Sequence, residues 1–167
     1  MPRSARRLLR RGAEERREEM PYKSALTGRV LGVRWMGAPT AVDVDRLEAE
    51  THSGFGRASA PLVLVAVPRS LAPPGADVRA CIASMLRVTA AQIERLYLVI
   101  EGSGPGRALA RAFARAAITA IGWGERARVA RTVEEAACAA AAVAGEQPDQ
   151  LLAAWRSEGV SPICASA

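Results

Sequence analysis

The residues best suited to chemistry lie in one glycine-rich stretch, Glu101-Gly-Ser-Gly-Pro-Gly-Arg107, followed by Arg111 and Arg115 at four-residue spacing. Glycines between an apolar run and a helical one let backbone N–H groups approach an anion, and the positive end of the helix adds to the attraction. Ser103, Gly104, Arg107 and Arg111 therefore form a candidate phosphate or nucleotide site. The spacing matches neither GxGxxG nor GxxxxGK[ST], no acidic residue follows at a ribose-binding distance, and Pro105 lacks a donor N–H. A tight turn that opens a helix with proline near its first position accounts for the same residues. On that reading Arg107, Arg111 and Arg115 are the solvated basic stripe of a helix that packs through Leu109, Phe113, Ala117 and Ile121.

Ser70 and Ser103 are the serines best placed for phosphorylation or for nucleophilic attack, and attack would require a base within hydrogen-bond reach. His52 is the only histidine and no GxSxG elbow occurs, so a serine hydrolase is not expected. Cys81, Cys138 and Cys164 are widely spaced with no CxxC pair, which argues against a zinc site. Cys81 and Cys138 fall in helical, alanine-rich contexts and read as small buried hydrophobes, whereas Cys164 is a candidate free thiol. Asp43, Asp45, Glu48, Glu134 and Glu135 sit at helix starts and turns, where capping explains them. No catalytic residue, metal or cofactor is expected.

The formal charge of +6 divides between two regions. Residues 1–19 carry seven arginines and four glutamates, and the remainder carries 16 basic and 13 acidic residues. A nucleic-acid binder concentrates its basic residues on one face, and the body of this chain lacks such a face. The segment 1–19 is charge-dense with only Leu8 and Leu9 to bury, so it reads as a disordered arm or a frayed helix. Such an arm is either solvated or docks nucleic acid or acidic lipid. Met20 is an alternative start to Met1. No signal-type apolar segment and no run near the roughly 20 residues of a membrane span is seen, so a cytoplasmic chain is expected.

These residues must be positioned by alternating elements. Tyr22–Met36 reads as an opening strand or hairpin at a sheet edge, where Gly28 and Gly32 are tolerated. Thr40 and Asp43 have capping-box spacing ahead of a short helix to about Thr51, and His52–Ala60 reads as a loop. Pro61–Val67 and Ile93–Ile100 are apolar on two faces, as in a covered parallel sheet, and the helix Asp77–Gln92 lies between them. A helix from Arg107 to Ile121, a short strand at Arg128–Ala130 and a helix from the Thr132–Glu135 capping box to Ala144 follow. The fold class is α/β: a mainly parallel mixed sheet of four to five strands with helices packed against it. Residues 20–145 form the domain, 1–19 an arm, and 146–167 a separate extension with a short amphipathic helix through Leu151, Leu152 and Trp155.

The segments GRVLGVRW, PLVLVAVPRS, LRVTAAQIERLYLVIEG, GSGPGRALARAF and RVARTVEEAACAA, in that order, resemble the STAS domain family over residues 24–144. They are closest to its bacterial anti-sigma-factor antagonists and their SEC14-like relatives. The resemblance implies a non-enzymatic regulatory module that docks a partner protein, a second copy of itself, or a small apolar ligand. In the phosphorylated members the loop after the third strand carries Asp-Ser-Ser-Gly. Here that loop reads Val67-Pro-Arg-Ser-Leu-Ala-Pro-Pro-Gly75, which makes Ser70 the candidate phosphorylation site although no aspartate precedes it. Arg69, Ser70 and Leu71, with Arg79 on the helix that follows, are then the candidate partner-binding residues. Because residues 1–19 offer few apolar atoms, their deletion is expected to shift Tm by no more than a few degrees in a thermal melt. A larger fall would show that the arm packs on the domain.

Overall fold

The computed structural model describes residues 21–55, 62–72 and 74–160. The basic arm, residues 56–61 and the end from 161 onward, with Cys164, lie outside them. The chain opens with a hairpin in which β1 (Tyr22–Thr27) pairs antiparallel with β2 (Val30–Trp35). There follow α1 (Ala41–Phe55), β3 (Leu62–Val67), α2 (Ala76–Thr89), β4 (Arg95–Ile100), α3 (Pro105–Ala120), β5 (Ala127–Ala130), α4 (Val133–Ala144) and α5 (Pro148–Ser157). The sheet keeps chain order, β1-β2-β3-β4-β5, and β2 to β5 run parallel. This is the α/β domain with a mixed sheet that the apolar runs predict.

Local chemistry sets the helix starts. Thr40 and Asp43 form a reciprocal capping box: the Thr40 amide and hydroxyl donate to the Asp43 carboxylate at 2.9 and 2.6 Å. At α4 the Glu135 amide donates to the Thr132 hydroxyl at 3.1 Å, and the Glu135 carboxylate accepts from the Arg131 amide at 2.9 Å. Helix α1 runs past Thr51 to Phe55, so His52 belongs to its last turn, 3.7 Å from Glu48, and not to a loop. A glycine inside a helix costs only about 1 kcal/mol, too little for Gly54 to end it.

Each crossover from β2 to β5 moves one strand in the same direction. A constant right-handed crossover sets the connecting helices on one face, and Leu47 of α1, Leu86 of α2 and Ile118 of α3 pack there with Val33, Val63, Leu96 and Val129. After β5 the chain turns to the other face. There α4 and α5 cover Val30, Ala66, Tyr97, Val99 and Ala130. Buried alanines 136, 137, 140 and 141 let α4 lie close to the sheet, while Cys138 is exposed and Cys81 half-buried, neither being a fully buried hydrophobe.

The stretch read as a separate extension is part of this core. Leu151 and Trp155 are fully buried in the same cluster as β2 and α4. A Cβ on Gly32 would stand 2.9 Å from the Trp155 indole, so this glycine sits inside the sheet to make room for the ring. Replacing Trp155 by alanine is expected to cost about 3–5 kcal/mol. Gly32→Val, which pushes the ring out, should cost about 1–3 kcal/mol. Urea unfolding of both variants checks this, and a Trp155→Ala midpoint equal to that of the parent would place α5 outside the cooperative unit.

Candidate functional site

In open α/β sheets ligands gather at the carboxyl ends of the parallel strands, so the sequence candidates lie where a site would be sought. The first element there is an ion pair that the sequence reading did not single out. Arg34 of β2 reaches across Ala66 of β3 and meets Glu101, just past β4, through two hydrogen bonds of 2.7 and 3.0 Å. Its side chain is 11% exposed, and Ala66 beneath it is fully buried and small enough to let it pass. The signal was a charge breaking each of two apolar strand runs, VLGVRW and LYLVIE.

Ser103 and Gly104 are exposed in the turn before α3, while Arg107 and Arg111 of that helix reach back to carbonyl oxygens. Arg111 is 6% exposed and donates through Nη1 to the carbonyls of Ile100 and Gly102 at 3.0 and 2.9 Å. Arg107 donates through Nη2 to the carbonyls of Arg69 and Leu71, stapling the loop after β3 to α3. Gly102 has φ +100°, and a Cβ there would stand 3.1 Å from the Arg69 side chain. These guanidiniums satisfy strand-end and loop carbonyls, and Arg111 is no solvated stripe residue.

The partner-binding candidates separate. Arg69 and Ser70 are exposed at the turn after β3, with Ser70 accessible to modification. Leu71 is half-buried against the cluster of Tyr22, Val33, Trp35 and Leu47, and Arg79 is exposed with Nη1 donating to the Pro74 carbonyl at 2.8 Å.

Helix α3 is rolled by about a quarter turn from its expected orientation, with Ile121 common to both faces. Ile118 is buried, with Ala110, Ala114 and Ile121 packed beside it, whereas Leu109 and Phe113 are 57% and 67% exposed. Ala117 is exposed too. The cause is steric and polar together. Small Ala110 and Ala114 let the helix lie close to β5, and the same roll brings the Arg111 guanidinium to carbonyls that would otherwise be buried without donors. The resulting outer stripe of Leu109, Ala112, Phe113, Ala116 and Ala120 has no charged member. Sequence reasoning missed it because α3 carries two apolar stripes, and the larger one looked like the core face.

Beyond α3 the open edge of β5 has a concavity on each side. One, of about 400 Å³, lies against α3, and the other, of about 470 Å³, lies against α4. Tyr97 lines the second and donates its hydroxyl to the Ala139 carbonyl at 3.2 Å. Burial raises the phenol pKa above its ordinary value, against the opposing pull of Arg95 and Arg128. Among the described residues no acidic, histidine and cysteine cluster could hold a metal ion, and no helix is long and apolar enough to cross a membrane.

Comparison with protein-family models, with curated proteins and with solved structures found no match to this chain. Arg111→Met keeps the stem and removes the donors, so two carbonyls lose their partner. It is expected to lower unfolding stability by about 2–4 kcal/mol, while Arg115→Met stays within about 0.5 kcal/mol of the parent. Guanidinium unfolding reads both, and equal effects would return Arg111 to the solvated stripe.

Proposed function

We propose that this chain is a STAS-like, non-enzymatic interaction module that pairs with a second copy of itself through the outer face of α3. One observation carries the reading: Leu109 and Phe113 stand exposed one helical turn apart on a stripe with no charge. A helix apolar on both its inner and outer faces is normally covered on both.

The shape of the stripe supports a second copy as the occupant. Its N-terminal half is bulky, with Leu109 and Phe113, and its C-terminal half is small, with Ala116 and Ala120. An antiparallel two-fold arrangement lays the bulky half of one helix on the small half of the other, which is the self-complementarity that an isologous interface requires. It also opposes the two helix dipoles. A helix of 16 residues is about 24 Å long, so the contact falls at the low end of specific interface sizes and suits reversible pairing.

The STAS-like part of the reading is supported by an opening antiparallel hairpin followed by strand–helix repeats in chain order. Exposed Ser70 is the modification site that this reading names, and it lies on the loop that Arg107 ties to α3. The anion-binding reading is the weaker one, because its best-placed guanidinium already holds two carbonyls.

Light scattering across a concentration series is expected to show a monomer–dimer equilibrium for the parent chain. Leu109→Glu with Phe113→Glu should leave only monomer that keeps the parent's circular dichroism, because both side chains are exposed in the single chain, and its Tm should lose any dependence on protein concentration. A parent chain that stays monomeric at millimolar concentration would sink the proposal, as would a double variant that still dimerises.

A further inference from the structure

The open edge of β5 is a second binding site, independent of pairing through α3: we propose that it takes an extended acidic peptide as a sixth strand. β5 is the last strand of the sheet, and its pairing with β4 fixes which backbone groups face outward. The Leu96 amide donates to the Arg126 carbonyl at 2.9 Å, so by strand alternation residues 126, 128 and 130 turn their peptide groups towards β4. Residues 127, 129 and 131 turn theirs away. Of these, the Ala127 amide bonds the Trp123 carbonyl and the Arg131 amide bonds Glu135. The Ala127 carbonyl and both the N–H and C=O of Val129 therefore face outward, with no partner among the described residues.

The surroundings of this edge match what an added strand needs. Side chains of a strand alternate between the two faces of the sheet, and strand addition gains specificity from pockets that receive them alternately. The two concavities flank β5 in that way. On one face Arg115, Ile118 and Thr119 of α3 line the smaller, and on the other Tyr97, Ala139 and Val143 line the larger. Both concavities are partly apolar, through Ile118 and Val129 in one and Ala139 and Val143 in the other, which suits small apolar side chains beside the charged ones.

Charge selects the occupant. Arg95, Arg115, Arg126 and Arg128 line the two concavities against only Glu125 and Glu135; Arg128 pairs with Glu135 at 3.6 Å, and Arg95 and Arg126 also donate to neutral backbone carbonyls, which leaves the edge with a net positive charge. A second copy joined edge to edge about Arg128 would bring that residue against its own counterpart, and in the neighbouring register, about Val129, two Arg128 side chains still lie along one short ribbon; like charges so placed destabilise a strand pair. The chain's own arm, residues 1–19, has seven arginines against four glutamates and carries the wrong sign. An extended segment that alternates carboxylates with small apolar residues has the right sign and the right period.

The test uses the full chain labelled with ¹⁵N and two capped probe peptides, one alternating Glu with Val and the other alternating Lys with Val. At about 0.15 M salt the glutamate peptide is expected to give saturable shifts at Arg128, Val129 and Ala130 and to slow exchange of the Val129 amide. Its affinity should exceed that of the lysine peptide by about tenfold or more, and Arg128→Glu should remove most of that difference. The Leu109→Glu, Phe113→Glu chain should bind the peptide as the parent does, which separates this site from pairing through α3. Absence of shifts at β5 with millimolar peptide overturns the proposal, leaving the arginines as a device that only blocks edge pairing. Equal binding of the two peptides overturns it as well. So does a Val129 amide already protected in the free chain, which would mean that the arm or a second copy covers the edge.

Discussion

The roll of α3 about its own axis governs much of the surface, and the Arg111 guanidinium is central to it. Strand β4 ends in the buried Ile100 carbonyl, and the glycine turn that follows adds the part-buried carbonyl of Gly102. A helix starting immediately afterwards can meet them only if it turns a long donor inward. Arg111 does so, with its Nη1 on Ile100 and Gly102. Its position then dictates the rest of the helix. Ala114 and Ile118, on the same side, go to the sheet, and Leu109 and Phe113, on the opposite side, are left in water. Satisfying buried acceptors and burying the largest apolar groups were competing demands, and the acceptors prevailed.

The same carboxyl end of the sheet is drawn together by two further arginines. Arg34 bridges from β2 to Glu101, and Arg107 holds the loop after β3 through its carbonyls. Both lie at the end of the sheet where α/β proteins commonly seat a ligand, and each guanidinium there is already engaged, one by a carboxylate and the other by backbone carbonyls.

Much of the architecture was legible in the residues. Two-sided apolar runs at Pro61–Val67 and Ile93–Ile100 announced covered parallel strands, and the two threonine caps marked helix starts that the hydrogen bonds reproduce. Three matters were not legible, each because a local pattern admits two packings. Helix α3 has apolar stripes on opposite sides, and periodicity alone does not say which one meets the sheet. Gly32 looks like an edge-strand weakness until the indole that fills its place is seen, and that indole is supplied from the far end of the chain. Arg34 and Glu101 each look like a strand terminus, because a partner across an intervening strand leaves no trace in sequence spacing.

The slot above Gly32 has a bearing on how the protein is made. β2 leaves the ribosome well before Trp155, so the sheet face over the first hairpin has to wait for the indole that covers it. At about 5–20 residues per second, the delay is on the order of ten seconds. The slot over Gly32 is closed only by a contact between the two ends of the described fold, so seating the indole is a long-range step that local folding of the hairpin cannot supply.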